Sequence, residues 1–375
     1  MHSSIVGLLT ICLQIEVLAC CSTILDCSLN GICQASTCIC DPPWSGPACS
    51  VLQEAAVLFP QGYGQSPLLT SWGGSILTDP VTGKHHLYVS TLTNSCPLLY
   101  WQTNSRIDHA VADNITGPYV FQNVAVNTWA TNPATLALAD GWYAMVHIGE
   151  GSGPPDGGQH CSNNIPQYAD YASRRGSTIH VSRSVSGPWE PLLDNTLGEC
   201  NNPAPWQHSN GSLYIVCTLG YTHVLKTAPA ISGPWHVVTN ITIHPANHGT
   251  VYEDPFLWVD TRGYWHVLMH AYNTKEDRTQ CTNSTVSLHA YSEDGHHWLP
   301  SPDQPYTTQV NVGTHTITQA TRERPKLVIS PVSGAVTHLV TAVCSAPSCP
   351  HGPPTGCVDC KYCAHDYTLV TPLIH

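Results

Sequence analysis

The sequence predicts an all-β protein, a five-bladed β-propeller preceded by a small disulfide-rich module. Three observations support this prediction. Strand-favouring Thr, Val, Tyr and Trp are frequent, 30 Pro and 28 Gly punctuate the chain, and one turn pattern recurs five times. Such a composition favours many short strands joined by tight turns.

Size and charge exclude some classes of protein. The 375 residues are 42% apolar, which is enough for a large core. Lys and Arg number 13 against 25 Asp and Glu, and the net charge is -12. This balance repels polyanions, so nucleic acid is not expected as a partner.

The first 19 residues predict a secretory signal peptide. A polar tip and an apolar run end in Val17-Leu18-Ala19, before Cys20. The run is shorter than the ~20 residues of a membrane span, and no later stretch reaches that length, so the mature chain is expected to lack one. The 18 Cys also favour a secreted, disulfide-bonded glycoprotein. Glycan acceptors begin at Asn114, Asn210, Asn240 and Asn283.

Residues 20–50 form the predicted disulfide-rich module. They contain too little apolar mass to fold without cross-links, and the spacing of six Cys alone permits fifteen pairings. The segment resembles an EGF-like module in the one-residue gap between Cys38 and Cys40 and in the ending "PPWSGPAC". The resemblance implies a spacer or adhesive role, with contacts to the extracellular matrix or cell wall. It also implies three disulfides and leaves Cys20 over: Cys21–Cys33, Cys27–Cys38 and Cys40–Cys49.

Residues 51–375 contain a fivefold repeat. Each unit has a small or polar pair, usually a Pro, then an apolar strand and a turn Gly. If Gly74, Pro133, Pro203, Pro255 and Pro325 are equivalent, the turn Gly follows 9, 8, 8, 8 and 9 residues later. Five such hairpin-led units of roughly four strands fit a five-bladed propeller. A pair of β-sandwiches would not explain the constant offset.

Equivalent positions in a propeller form rings around the channel. The ring before the Pro reads Gly73, Asn132, Asn202, Asp254 and Arg324. The ring one residue earlier reads Trp72, Thr131, Asn201, Glu253 and Glu323. Strand side chains alternate, so neighbouring residues face opposite ways unless the backbone bends. The polar residues predict a polar channel mouth suited to a hydroxyl-rich ligand.

The propeller resembles glycoside hydrolase family 43 and its arabinanase, levansucrase and invertase relatives. The motifs are "YEDPFLW", "SVSGPWEP", "AISGPWHVV" and "YSEDGHHW". The resemblance implies hydrolysis of glycosidic bonds with an Asp base in the first blade, an Asp that tunes pKa in the third and a Glu acid in the fourth. Glu253 matches the acid, whereas Gly73-Gly74 and Asn202 replace the other two, so inversion would need another base.

The working hypothesis assigns catalysis to Glu253 as acid, with Asp254 or Glu323 as base or pKa tuner. Carboxyl groups ~6.5–9.5 Å apart suit inversion, and groups ~5 Å apart suit retention. Arg322 or Arg324 would hold a carboxylate ionised or bind an anionic sugar. The competing interpretation is a structural ion network of these same residues. The expected substrate-binding residues are Trp72, Asn132, His147, Asn202, His270, Arg322 and Arg324.

No cofactor or metal is expected. His315 stands near the position where relatives hold a channel ion, but no Asp cluster accompanies it, so a channel calcium ion lacks support. Cys357, Cys360 and Cys363 lie near His365 at zinc-like spacing, yet export favours disulfides. A further expectation pairs Cys96 with Cys161 across the channel mouth.

Two functions follow from the sequence. The first is a secreted glycoside hydrolase acting on an oligo- or polysaccharide through channel carboxylates. The alternative is a catalytically inactive propeller that serves in carbohydrate binding or adhesion, which the missing first-blade Asp favours. Turnover separates the two, because a binding protein retains affinity for glycans without hydrolysing them.

Overall fold

The computed structural model describes residues 21–58, 62–66, 69–155, 176–192, 197–220, 222–243, 250–273, 285–344 and 366–375. The predicted signal peptide, Asn283, Cys161 and the cysteines at 357–363 lie outside these ranges. Within them, no helix is both long and apolar enough to span a bilayer.

The N-terminal module confirms the predicted cross-links. Disulfides join Cys21 to Cys33, Cys27 to Cys38 and Cys40 to Cys49. A 3₁₀ turn, Ile24–Cys27, precedes two small antiparallel hairpin pairs. These are β1 (Gly31–Gln34) with β2 (Thr37–Cys40), and β3 (Trp44–Ser45) with β4 (Val51–Leu52).

Five antiparallel sheets follow as the blades of a propeller, which confirms the predicted fold. Blade 1 has β5 (Thr70–Thr78), β6 (His85–Leu92), β7 (Ser105–Ala112) and β8 (Val120–Val126). Blade 2 has β9 (Ala130–Ala137), β10 (Tyr143–Gly149), β11 (Ser177–Ser182) and β12 (Glu190–Pro191). Blade 3 has β13 (Asn201–Gln207), β14 (Leu213–Leu219), β15 (Thr222–Ala228) and β16 (His236–Ile241). Blade 4 has β17 (Thr250–Val259), β18 (Trp265–Asn273), β19 (Ser287–Ser292) and β20 (Leu299–Pro300).

Short elements connect or follow these sheets. Blade 1 contains two 3₁₀ turns, Thr93–Ser95 and Leu98–Tyr100, and the one-turn helix α1 (Trp101–Asn104) between β6 and β7. A hairpin of β21 (Gln309–Val312) and β22 (His315–Thr318) precedes blade 5. In blade 3, a disulfide joins Cys200 to Cys217.

Blade 5 differs from the other four in that, among the described residues, its sheet has three strands: β23 (Thr321–Ile329), β24 (Val336–Cys344) and β25 (Asp366–Pro372). The chain that leaves the N-terminal module runs along β25. Isolated bridges pair Glu54 with Leu373 and Tyr63 with Thr368. The start of the propeller therefore covers the edge of its last sheet, which protects unpaired backbone groups.

The repeated turn Gly has a backbone explanation. Each ends the hairpin loop between the first and second strands of a blade, and all have a positive φ: Gly83, Gly141, Gly211, Gly263 and Gly334. Side chains disfavour that region, so Gly recurs at each hairpin. The Gly–Pro bonds at 117–118, 187–188 and 233–234 are all cis and lie at matching turns of three successive blades.

Every first strand is also interrupted by a β-bulge. The pairing shifts register around the residue before the repeat Pro, or before Gly74 in blade 1. That residue has φ between 47° and 69° in all five blades. Gly, Asn and Asp tolerate this conformation best, so the polar ring partly reflects backbone demand.

The N-terminal module is packed onto blades 4 and 5. One apolar cluster contains Cys27, Trp44 and Leu52 from the N-terminal segment with Trp258 and Leu327 of the propeller. The ring of Trp44 stacks with that of Trp258 at a centroid distance of 6.5 Å. Trp258 is thus a packing residue, and so is the partly buried Trp206.

Candidate functional site

The propeller axis is filled by a hydrogen-bonded polar network. The Nδ2 of Asn132 donates to Oδ1 of Asn202 at 2.8 Å and to Oδ1 of Asp254 at 3.1 Å. The Nζ of Lys326 donates to Oδ1 of Asn132 at 3.1 Å, and Nε of Arg324 lies 3.6 Å from Asp254 Oδ1. All five side chains are buried. The bulges have turned one residue from each of blades 2 to 5 onto the axis.

Arg324 packs against Gly73, the residue found where the resemblance implied an Asp base in the first blade. A Cβ added to Gly73 would lie 2.9 Å from Cβ and 3.1 Å from Cδ of Arg324. The aliphatic part of Arg324 therefore leaves no space for a larger side chain at residue 73. Arg324 also has φ 51°, an uncommon conformation for a long side chain. At the bulge position of blade 1, the space that a carboxylate side chain would need is therefore filled by Arg324 of blade 5.

Four titratable residues of blades 4 and 5 gather beside this network. One donor atom each from Glu253, Asp254, His270 and Glu323 lies within 4.8 Å of the others. His270 faces Glu253 across the strand pair, with Nδ1 3.4 Å from Oε1 of Glu253. Glu253 is 32% exposed, whereas the side chains of the other three are buried. The bulge places both Glu253 and Asp254 in the same cluster, one at the surface and one on the axis.

Burial and like charges shift the pKa values in this cluster. Burial raises the pKa of Asp254 to about 6, although Arg324 opposes that shift. Burial also raises the pKa of Glu323, against the influence of His270. For His270, burial acts to lower the pKa, but the carboxylates of Glu323, Glu253 and Asp254 outweigh it and raise the pKa to about 9. The cluster therefore holds a proton on His270 at neutral pH, and Asp254 takes up a proton as the pH falls below about 6.

This donor set has the chemistry of a divalent-cation site, because three carboxylates and one imidazole converge. When His270 is protonated, its positive charge offsets one of the three carboxylate charges. Cys21, Cys27 and Cys38 also lie close together, but each is in a disulfide.

Arg322 is separate from the acidic cluster. Its guanidinium donates through Nη1 and Nη2 to the two carboxylate oxygens of Glu54, at 2.8 and 2.5 Å. It also stacks over the ring of Tyr306 at 5.0 Å. Arg322 is buried, with its charge satisfied by Glu54 rather than by a residue of the channel.

The remaining predicted ligand residues lie deep in the fold. Trp72 is 1% exposed and packs with Leu98, Ala342 and Cys344, so it offers no open face for stacking on a sugar. His147 is buried and its Nε2 lies 3.0 Å from Nδ1 of His180. Burial lowers the pKa of His147 to about 3, so this imidazole is neutral.

His315 and Cys96 were the remaining sequence expectations. His315 is exposed on the β21–β22 hairpin and is not one of the four clustered residues. Cys96 is in a disulfide, but Cys161 lies outside the described part of the chain, so their pairing stays a prediction.

Sequence reasoning missed two charged residues that organise the site. Lys326 follows the repeat Pro, where other blades carry Ser75, Ala134, Ala204 and Phe256, so the aligned repeats contained a signal for it. Burial lowers the pKa of Lys326 to about 8, although Asp254 opposes the shift. Glu54, the partner of Arg322, lies 268 residues away along the chain, and no local pattern identifies it.

Comparisons with known proteins agree with the two predicted parts of the chain, the N-terminal module and the propeller. A family model for the Teneurin-like EGF domain matches residues 25–52. No curated protein sequence matches the chain.

Solved structures match the propeller at low sequence identity. An α-L-arabinofuranosidase from Podospora anserina, in complex with cellotriose, aligns with TM-score 0.56 and 9% identity over 87% of this chain and 98% of its own. A thermostable family-43 glycoside hydrolase aligns with TM-score 0.51 and 11% identity over 85% and 93%. A family-43 β-1,3-galactosidase with galactodeoxynojirimycin aligns with TM-score 0.50 and 11% identity over 84% and 94%.

At these identities the similarity establishes the fold alone. The chain thus combines an EGF-like module with a five-bladed propeller that has the architecture of the family 43 glycoside hydrolase structures.

Proposed function

We propose that this chain is a secreted glycan-processing protein that hydrolyses a glycosidic bond at the mouth of its propeller channel. Glu253 is the proposed proton donor and Glu323 the second carboxylate. The observation that carries the proposal is the cluster of Glu253, Asp254, Glu323 and His270, whose donor atoms lie within 4.8 Å of one another.

Glu253 suits the role of acid because it is the exposed member of the cluster. Its carboxylate is 32% exposed, so an incoming glycosidic oxygen can reach it. Asp254 and Glu323, both with raised pKa values, and the cationic His270 lie directly behind it. In a retaining mechanism Glu253 would recover its proton from the attacking water when it acts as base in the second step.

The spacing of the carboxylates favours one stereochemical class. Glu253 and Glu323 each offer one oxygen to a cluster no more than 4.8 Å across, which is compatible with the ~5 Å of a retaining pair and lies below the ~6.5–9.5 Å of an inverting pair. Protonated His270 would stabilise the ionised form of Glu323 in this role. Asp254 is assigned to the axis instead, as the buried counter-ion of Arg324.

A second candidate function is glycan binding without hydrolysis. It is favoured by the packing of Arg324 against Gly73, which removes the first-blade carboxylate, and by Asn202 in the third blade. In that case Glu253 would bind sugar hydroxyl groups rather than transfer a proton. The oligo- or polysaccharide partner, export and glycosylation at the predicted acceptors belong to both proposals.

The test measures turnover and binding together. Purified protein is incubated with α-arabinofuranosides, β-xylosides, β-galactosides and fructosides, and is also applied to a glycan array. A hydrolase shows turnover that falls by at least ~10²-fold in Glu253→Gln, because an acid catalyst of this kind typically contributes that much. The matched control is Glu293→Gln, an exposed carboxylate of the same blade, which should retain full activity.

Each outcome has a distinct reading. Binding on the array without turnover supports the second candidate. Full activity in Glu253→Gln overturns the catalytic assignment while leaving hydrolysis intact. Neither turnover nor binding on any glycan contradicts both candidates.

A further inference from the structure

The N-terminal segment contacts β17 and β23, the two strands that carry the carboxylates of the acidic cluster. Trp44 of the EGF-like module stacks on Trp258 at an interplanar angle of 10° and lies 4.9 Å from the ring of His289. Trp258 belongs to β17, the strand of Glu253 and Asp254. The module therefore packs directly against the strand that presents the proposed proton donor.

Arg262 fixes the end of the same strand to the module. Its Nε donates to Oδ2 of Asp260 at 3.0 Å, and its Nη2 lies 2.8 Å from Oδ2 of Asp41. The guanidinium also donates to the backbone carbonyl oxygens of Leu29 and Gly31. An Arg fork that bonds two carboxylates and two carbonyls has few alternative arrangements, so the contact defines one orientation of the module.

Glu54 binds a residue of β23, the other strand of the cluster. Its carboxylate is bound by both Nη atoms of Arg322, which directly precedes Glu323 on β23. The neighbouring backbone is also tied down, because the N–H of Ala55 donates to the carbonyl of Pro372 at 2.8 Å. The buried charge of Arg322 would lose its carboxylate partner without Glu54.

We propose that the EGF-like module and the segment that follows it are built-in positioning elements of the channel site, with Trp44 and Glu54 as the positioning residues. Trp44 holds β17, Glu54 holds β23, and the two together set the separation of Glu253 from Glu323. This adds a fixed, intramolecular role to the spacer or adhesive role expected from sequence. The proposal refines the proposed function but rests on contacts that exist whether or not the site is catalytic.

Hydrogen exchange on the full-length, disulfide-intact protein tests the proposal without requiring a substrate. We expect Glu54→Gln to increase exchange at backbone amides of residues 321–329, and Trp44→Ala at residues 250–259, each by roughly tenfold or more. We also expect each variant to lower the Tm by roughly 5 °C or more, in one cooperative transition. The controls are Glu293→Gln and Ile39→Ala, which change exposed residues of blade 4 and of the module.

The milder variants Glu54→Asp and Trp44→Phe keep the test valid if the first variants do not fold. Partial rescue of slow exchange in both strands by these conservative changes supports positioning. Unchanged exchange in both strands, or a separate unfolding transition for the module in the wild-type protein, would overturn it. Altered exchange in a protein that neither binds nor hydrolyses glycans would support positioning and contradict only the proposed function.

Discussion

Blades 1 to 3 and blades 4 to 5 share one backbone at the channel but differ in chemistry. All five first strands have the same bulge and the same positive φ. The bulge position holds the uncharged Gly73, Asn132 and Asn202 on one side, and the charged Asp254 and Arg324 on the other. The repeated fold therefore supplies the geometry, and individual substitutions on it concentrate charge in two adjacent blades.

Two histidines near the ends of second strands show the consequence. His147 on β10 is buried beside the neutral His180, and burial lowers its pKa to about 3. His270 on β18 is equally buried, but the neighbouring carboxylates raise its pKa to about 9. The same residue type is thus neutral in blade 2 and cationic in blade 4, because its neighbours differ.

The largest expected effect comes from replacing the charged residue at the bulge position of blade 4 with the uncharged Asn that blades 2 and 3 have there. Asp254→Asn preserves the shape of the ring and its tolerance of positive φ, but it leaves Arg324 and Lys326 buried without a carboxylate on the axis. We expect the free energy of unfolding to fall by about 4 kcal/mol in chemical denaturation, the usual cost of breaking a buried pair. Asp113→Asn, which breaks the exposed pair with Lys84, should cost under about 1 kcal/mol. Equal losses in the two variants would contradict a special role for Asp254.

A smaller effect is expected from adding a side chain at Gly73, the bulge position of blade 1. Gly73→Ala combines the strain of φ 69° with a Cβ placed 2.9 Å from Arg324. We expect a loss of about 3 kcal/mol, of which overpacking supplies the larger part. Gly83→Ala is the matched control, because φ there is 72° and no atom lies within 4 Å of the added Cβ. Gly83→Ala should cost about 1 kcal/mol of unfolding free energy. A similar cost at both positions would show that the Arg324 side chain moves away from the added Cβ at little cost.

The part of the fold that follows from local chemistry was predictable from sequence. A turn Gly follows 8 or 9 residues after the equivalent position in each blade, as Gly263 follows Pro255. This offset predicted the hairpins and the number of blades, because the positive φ of each turn requires Gly. The choice between Glu253 and Asp254 was not predictable, since a bulge, unlike a regular strand, turns both toward one site. The packing of Arg324 against Gly73 and the Glu54–Arg322 pair depend on closure of the ring, which has no local signature.

The smallest predicted effect per pH unit is a difference in pH dependence between blades 1 to 3 and blades 4 to 5. The folded pKa of His147 is below its unfolded value, so its contribution to stability is present above pH ~6.5 and is lost as the pH falls toward 3. The folded pKa of His270 is above its unfolded value, so its contribution is present below pH ~6.5 and is lost as the pH rises through 9. Each group changes the free energy of unfolding by at most about 1.4 kcal/mol per pH unit within its window.

Denaturation curves of two variants separate these contributions. His270→Gln should flatten the alkaline decline between pH ~6.5 and 9, and His147→Gln should reduce the acid decline. The acid decline persists in part because other buried or partly buried histidines also have pKa values lowered to about 4: His109, His180, His223 and His338. An alkaline decline that is unchanged in His270→Gln would contradict the assignment of its charge.

The most direct measurement is the titration of His270 and His147 by NMR on protein labelled at the histidine rings. The two signals are assigned from the single His→Gln variants. The proton-holding cluster of blades 4 and 5 predicts a midpoint near 9 for His270 and a neutral His147 down to the lowest pH at which the protein stays folded. In Glu323→Gln the midpoint of His270 should fall, because a principal carboxylate that raises it is removed. A His270 midpoint at or below ~6.5 in the wild-type protein would contradict a charged, proton-holding site in blades 4 and 5.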